Sequence, residues 1–198
     1  EVKDNGNDIF VDIVAECLSV AIVSPTSGSI LQVGDSCDVV VNQKSATNVT
    51  LYKNEEVVAE GASSQLVYTY APTTPEDVVF RAVATDGTTT VEEEVHIAVF
   101  GETETAARPA GLKNGVNVDG NNVTFLLFAP GKKSVVLLGD FNDYAPSNDY
   151  LMKRDGNYFW ITVEGFEMGK EYGYQYLVDG SIKIGDPYST KILDPWND

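Results

Sequence analysis

Three stretches of the chain combine aromatic residues with polar turns, and their spacing makes them the strongest candidates for chemistry. Residues 139–144 have the pattern of a strand end followed by a polar loop that carries the aromatic Tyr144. Residues 155–160 have the pattern of a Gly-Asn turn that leads into an aromatic strand, and residues 174–180 that of a strand closed by an Asp-Gly hairpin turn. An exposed ring with polar neighbours can bind a ligand without covalent chemistry. The pattern therefore indicates a binding surface built on β-structure.

In this order and at these spacings, the three stretches resemble carbohydrate-binding modules of family 48, and residues 184–188 (Ile-Gly-Asp-Pro-Tyr) add a fourth match. Members of that family are glycogen- and starch-associated β-sandwiches. They precede the catalytic barrel of family 13 α-glucan hydrolases and occur in the AMP-activated kinase β subunit. The resemblance covers roughly residues 112–198. It implies a non-catalytic accessory region, an immunoglobulin-like domain followed by a family 48-like domain, of a bacterial family 13 enzyme of the α-amylase or pullulanase type.

The resemblance also implies which residues would contact a sugar. A glucose ring offers an apolar C–H face to an aromatic plane, while amides and charged groups bond its hydroxyl rim. Binding members of the family use a Trp, a Lys and a second Trp, and the matching positions here are Tyr144, Gln175 and Ile182. Lys183, beside Ile182, is a further hydrogen-bond donor. Because Ile182 offers no ring, we expect α-glucan binding to be weak or absent, with an affinity of at best about 1 mM, near 4 kcal/mol.

The 198 residues themselves carry no pattern of a catalytic centre. Glycoside hydrolysis needs two carboxylates held a fixed distance apart across a cleft. The acidic residues lie mainly in turns or on strand faces, such as the run at 92–94, which is typical of a charged edge strand. The single His96 has no Cys or Ser motif beside it, and the sequence contains no G-x-S-x-G, H-E-x-x-H or P-loop pattern. We therefore expect no catalytic residue, no metal site and no cofactor.

Charge divides the chain into two unequal parts. The formal net charge is −17, of which residues 1–104 carry −14 and residues 105–198 carry −3. This asymmetry favours two units, and so acidic a chain would be repelled by nucleic acid. No stretch approaches the 18 or so apolar residues that a membrane-spanning helix needs. We expect no nucleic-acid partner and no membrane span.

Short strands separated by turns predict an all-β fold of two tandem antiparallel sandwiches. We expect an acidic immunoglobulin-like sandwich over residues 18–104 and a family 48-like sandwich over residues 112–198. Residues 105–111, rich in small residues with one Pro, are the expected linker. Residues 1–17 are expected to be the tail strand of an upstream module.

Two strands of the second unit, at residues 123–129 and 134–140, are apolar on both faces. A sheet of an isolated sandwich normally keeps one face in water, so something is expected to cover the outer face. One interpretation is a docking surface for a catalytic barrel, because residues 193–198 resemble the family's lead-in to that barrel. The other is a central strand with a few exposed aliphatic side chains.

The two cysteines, Cys17 and Cys37, do not have the sequence separation of an immunoglobulin disulfide. Free, buried thiols are favoured over a bridge, which stays open as an alternative. The acidic turn at residues 4–8 has no known calcium-loop spacing, and a plain turn is favoured there.

Two other functions stay open at this point. The chain could be a stand-alone glycan-binding module, or a structural spacer at a cell surface. The immunoglobulin-like partner favours the accessory-region interpretation over the first of these. An extracytoplasmic location is expected, although the chain contains no signal peptide.

Overall fold

The computed structural model describes residues 17–192, and strands make up most of that range. The single helical element among these residues is a 3₁₀ turn at Asn148–Tyr150. Apart from one parallel pair, the neighbouring strands are antiparallel. The predicted all-β fold of antiparallel strands is confirmed.

The first sandwich consists of two facing sheets with the strand orders β1-β3-β6 and β2-β8-β7-β4-β5. Its strands are β1 (Ser19–Ser24), β2 (Ile30–Gln32), β3 (Cys37–Lys44), β4 (Asn48–Lys53), β5 (Glu56–Gly61), β6 (Gln65–Tyr70), β7 (Glu76–Thr85) and β8 (Thr90–Phe100). Strand β7 shows why these segments form a sandwich: Val78, Phe80, Ala82 and Ala84 are buried, and the residues between them are not. These side chains meet Val39 and Val41 of the other sheet in one core.

The second sandwich has the strand orders β12-β13-β10-β9 and β11-β14-β15. Its strands are β9 (Gly115–Asp119), β10 (Asn122–Phe128), β11 (Val135–Gly139), β12 (Lys153–Asp155), β13 (Tyr158–Val163), β14 (Tyr174–Val178) and β15 (Ile182–Ile184). The predicted Gly-Asn turn joins β12 to β13, since Asp155 pairs with Tyr158. The predicted Asp-Gly turn joins β14 to β15, with positive φ at Asp179 and Gly180.

The two sandwiches share a buried apolar cluster, called here the inter-sandwich cluster. It contains Ala98 and Phe100 from β8 together with Val136, Leu138 and Leu177 from β11 and β14, and all five side chains are nearly inaccessible to solvent. The outer face of the β11 strand is therefore covered, as expected, but the cover is the first sandwich. The expectation that this face docks a catalytic barrel is corrected, because its apolar side chains are already buried within the chain.

The segment between the sandwiches also packs against the second one. Thr105 forms a parallel bridge to Arg154 on the edge strand β12, and the Ala106 N–H donates to the Arg154 carbonyl at 2.9 Å. The Trp160 indole Nε1 donates to the Ala106 carbonyl at 3.0 Å. Trp160 lies opposite Leu126 in the sheet, and Leu126 is buried on the outer face of β10. The predicted linker thus runs along the sheet edge.

Cys17 and Cys37 are both free thiols. Cys17 is exposed, so the expectation that it is buried was wrong, whereas Cys37 is half-buried on β3. Burial, and then the neighbouring Asp38, raise the pKa of the Cys37 thiol. Most of the expected tail strand and the turn at residues 4–8 lie outside the described residues. No helix in the described part of the chain is long and apolar enough to cross a membrane.

Candidate functional site

Tyr144 and Gln175 line one open cavity of about 740 Å³ at an end of the second sandwich. Its walls come from the loop after β11, the start of β14 and the segment after β15. We call this cavity the cleft. Polar and aromatic residues dominate its lining: Asp140, Tyr144, Glu171, Tyr172, Tyr174, Gln175, Asp186, Ser189 and Lys191.

The loop that carries Tyr144 is held by hydrogen bonds to its own stem. The Asn142 Oδ1 accepts from the Gly139 N–H at 2.8 Å, and the Asn142 Nδ2 donates to the Leu137 carbonyl at 3.0 Å. The Tyr144 N–H donates to the Gly139 carbonyl at 3.0 Å. Asp143 and Tyr144 have φ values of +51° and +54°, a left-handed conformation that costs energy for residues other than glycine. Asn142 therefore supports a bend that the backbone alone disfavours.

The Tyr144 side chain lies at the rim of the cleft with 37% of its surface exposed. Partial burial, and then a hydrogen bond to the Asp140 carboxylate, raise the pKa of the Tyr144 hydroxyl. The other Asp140 contact fixes the opposite wall, since the Gly173 N–H donates to Asp140 Oδ2 at 2.6 Å. Asp140 thus joins the Tyr144 loop to the start of β14 and leaves the ring partly open to solvent.

A second carboxylate, Asp186, organises the far wall and is buried with 8% exposure. The Tyr174 hydroxyl donates to its Oδ2 at 2.5 Å, and the Tyr188 N–H donates to its Oδ1 at 2.9 Å. Burial and the Asp186 carboxylate raise the pKa of Tyr174 well above its ordinary value. Gly115 lets this segment approach, because a Cβ there would lie 3.0 Å from the Tyr188 Cβ. Asp186 therefore attaches the segment after β15 to strand β14, and Gly115 lets the same segment pass close to strand β9 of the other sheet.

The four residues expected to contact a sugar are only partly brought together. Tyr144 and the half-buried Gln175 share the cleft, whereas Ile182 and Lys183 do not line it. Ile182 pairs with Val178 and Lys183 with Leu177 across the β14–β15 hairpin. Because faces alternate along a strand, Lys183 lies on the sheet face of Gln175 and Ile182 on the opposite one. A sugar-binding role for these four residues stays a prediction.

Tyr172, Glu171 and Lys191 are among the residues of the cleft that were not assigned a role from the sequence. Tyr172 packs edge-on against Phe166, with the ring centroids 4.8 Å apart. At the rim, the Lys191 Nζ forms an ion pair with the Glu171 carboxylate at 2.8 Å. The repeated aromatics at 172, 174 and 176 were the available signal for Tyr172. No signal in the sequence indicates the ion pair, because its two residues are twenty positions apart.

The cleft's chemistry is that of non-covalent binding. It offers an exposed phenol ring, an amide and carboxylates that accept hydrogen bonds, the groups that pack against a sugar ring and bond its hydroxyls. Within residues 17–192, no three His, Cys, Asp or Glu side chains are grouped so that they could hold a metal ion.

Comparison with known families and proteins agrees with the sequence resemblance. Residues 113–197 match the family described as carbohydrate-binding module 48 (isoamylase N-terminal domain). The chain is 33% identical over 79 residues to the 1,4-alpha-glucan branching enzyme GlgB of Fusobacterium nucleatum subsp. nucleatum. That alignment covers 38% of this chain and 13% of the enzyme. The predicted resemblance to an N-terminal family 48 region of a family 13-type enzyme is confirmed.

Comparison with solved structures finds similarity at low identity and low TM-score. The fibronectin(III)-like modules of Clostridium thermocellum CbhA have a TM-score of 0.42 and 16% identity, covering 83% of this chain and 88% of that chain. Bacteroides uniformis beta-glucuronidase 3 has a TM-score of 0.36 and 9% identity, covering 86% of this chain and 25% of that chain.

Proposed function

We propose that this chain, whose second sandwich is a carbohydrate-binding module of family 48, is a non-catalytic accessory region of an α-glucan-processing enzyme. The family match across residues 113–197 is the observation that carries the proposal. The chain spans only 13% of the branching enzyme that it resembles. In our proposal, the parent chain therefore continues into a family 13 catalytic barrel that hydrolyses or branches α-glucans, and the sequence beyond Asp198 tests this part.

The cleft is the proposed contact with α-glucan. Tyr144 would stack on the C–H face of one glucose unit, and the Gln175 amide would donate to or accept from its hydroxyls. The carboxylates of Asp140 and Glu171 supply further acceptors on the walls. The candidate for the second aromatic contact is Tyr172, which lines the cleft. Ile182, at the position of the family's second Trp, offers no ring and does not line it. The volume of the cleft lies within the range of about 300–1,000 Å³ that is typical of small-molecule sites.

The expected affinity is low. Only one ring in the cleft is clearly exposed at a rim, and a single aromatic contact is worth about 0.5–1.5 kcal/mol beyond the area it buries. A dissociation constant of about 1 mM corresponds to 4 kcal/mol, which one stacked glucose and a few solvent-exposed hydrogen bonds can supply. Such a contact would hold the enzyme near an insoluble glucan through repeated weak encounters.

Titration of the chain with maltoheptaose, together with a pull-down on insoluble starch, tests the binding role. We expect millimolar binding in the wild type and at least a tenfold loss in Tyr144→Ala. The matched control is Phe128→Ala, which removes another partly exposed aromatic, 43% accessible, that lies outside the cleft. A wild type that binds neither sugar would contradict the binding role and favour a structural spacer. An extracytoplasmic location stays a prediction from the sequence.

A further inference from the structure

Besides the inter-sandwich cluster, one carboxylate of the first sandwich forms hydrogen bonds to the second. Asp77, at the start of β7, accepts hydrogen bonds from the Ser147 Oγ at 2.8 Å, the Asn148 N–H at 3.1 Å and the Asn148 Nδ2 at 2.8 Å. The Asn148 Nδ2 also donates to the Val99 carbonyl of β8 at 3.1 Å. Hydrogen bonds to an ionised acceptor are the stronger kind. We call this set of contacts the Asp77 clamp.

The clamp holds the far end of the loop that carries Tyr144. Ser147 follows Tyr144 by three residues, and the neighbouring Pro146 passes close to Gly28 of the first sandwich, since a Cβ added at Gly28 would lie 4.0 Å from the Pro146 Cδ. The near end of the loop is fixed by Asn142. The loop is therefore anchored on both sides, once within its own sandwich and once on the other.

This anchoring matters because the loop between the two anchors contains backbone conformations that cost energy. Asp143 and Tyr144 are consecutive non-glycine residues with positive φ, and each left-handed residue loses stability relative to ordinary backbone. Residues in this conformation persist where the surroundings over-determine them. Without one anchor, the loop gains other conformations, and Tyr144 then spends less time at the rim of the cleft.

We infer that Asp77 is a positioning residue for the sugar-binding cleft: the first sandwich holds Tyr144 where it can stack on a glucose unit. This inference rests on the proposed function. It assigns the acidic first sandwich a part in carbohydrate binding without any contact between that sandwich and the sugar. If only a fraction of the molecules hold the loop in place, the apparent dissociation constant rises by the inverse of that fraction.

The test compares Asp77→Ala with two control variants of the whole chain. Asp38→Ala removes an exposed aspartate of the first sandwich whose described hydrogen bond, to Thr69, stays within that sandwich. Val41→Ala creates a cavity in the core of the first sandwich and so lowers stability without touching the clamp. Maltoheptaose affinity, the midpoint of urea unfolding and amide hydrogen exchange at residues 142–148 are measured for each.

For Asp77→Ala we expect a three- to tenfold weaker affinity and faster exchange at residues 142–148. Val41→Ala should unfold at a lower urea concentration with unchanged affinity, which separates positioning from general stability. Asn148→Ala removes the side-chain bonds from Asn148 Nδ2 to Asp77 and to the Val99 carbonyl and leaves the Ser147 and backbone N–H bonds in place, so affinity and exchange should change in the same direction as in Asp77→Ala, by a smaller factor. It serves as the second variant if Asp77→Ala does not fold.

Unchanged affinity in Asp77→Ala or Asn148→Ala would overturn the inference. If the wild type binds no maltoheptaose, the proposed function fails first, and exchange then decides the positioning role by itself. Exchange at residues 142–148 that is the same in Asp77→Ala as in Asp38→Ala would overturn that role as well.

Discussion

Phe100→Ala should lower the free energy of unfolding of both sandwiches, because Phe100 lies on strand β8 of the first sandwich and packs against the second. The side chain is 2% exposed and lies in the inter-sandwich cluster with Leu138, which is fully buried. Truncating a buried Phe costs about 3–5 kcal/mol, and Leu→Ala costs about 2–5 kcal/mol. Since the two residues share one cluster, each truncation should be less costly when the other has already been made. We expect a coupling of about 0.5–3 kcal/mol.

The assay is a double-mutant cycle of urea unfolding free energies for Phe100→Ala, Leu138→Ala and their combination. The matched reference is Phe80→Ala, which is equally buried but lies in the core of the first sandwich. Phe80→Ala and Leu138→Ala should add within about 0.5 kcal/mol, as independent sites do. Phe100→Ala should also speed amide exchange in β11 and β14. Additive Phe100 and Leu138 effects would refute the shared cluster, as would two separate unfolding transitions in the wild type.

Three further changes test local contacts. Asp179→Asn should cost about 1 kcal/mol at pH 7. Burial raises the Asp179 pKa, but backbone N–H donors before β11 outweigh this and leave the pKa low. The stabilisation is thus present above the unfolded pKa, about 4, and is lost as the pH falls through the folded pKa. Urea midpoints should therefore differ at pH 7, and the difference should shrink as the pH falls below about 4. Gly115→Ala should lower the melting temperature, because its Cβ would crowd Tyr188 at a φ of +87°; an unchanged value would contradict this. Trp160→Phe should speed exchange of the Ala106 amide, and equal exchange would mean that the indole bond does not hold the segment.

The long strands could be predicted from the sequence because each has a pattern of its own. In β7 the buried and exposed residues alternate, and the hairpin turns at Gly156 and Gly180 are marked by residues that adopt positive φ. Strands β2 and β12 have three residues each, which are too few for a periodic pattern that would predict them. The sequence of β5 does not predict a strand in the same way, because its two valines are adjacent and its apolar and polar residues do not alternate; Val57 is exposed and Val58 half-buried.

The cover over β11 could be inferred, but not its identity. Val136 and Leu138 show that the outer face needs an apolar neighbour, yet nothing local in the sequence says that the neighbour is Phe100. Such long-range packing is not displayed by a single sequence. The placement of Ile182 has a local cause instead: across the β14–β15 hairpin it pairs with Val178, which lies on the sheet face opposite Gln175.

The most direct test of the central claim is to map maltoheptaose binding residue by residue from amide chemical shifts in the whole chain. The account predicts fast-exchange shifts that saturate at millimolar sugar and concentrate at residues 140–144 and 171–175, with little change in the first sandwich. The same titration of Tyr144→Ala should leave these signals unmoved. Shifts that concentrate on another surface, or that persist in Tyr144→Ala, would contradict the claim that the cleft beside Tyr144 is the carbohydrate site.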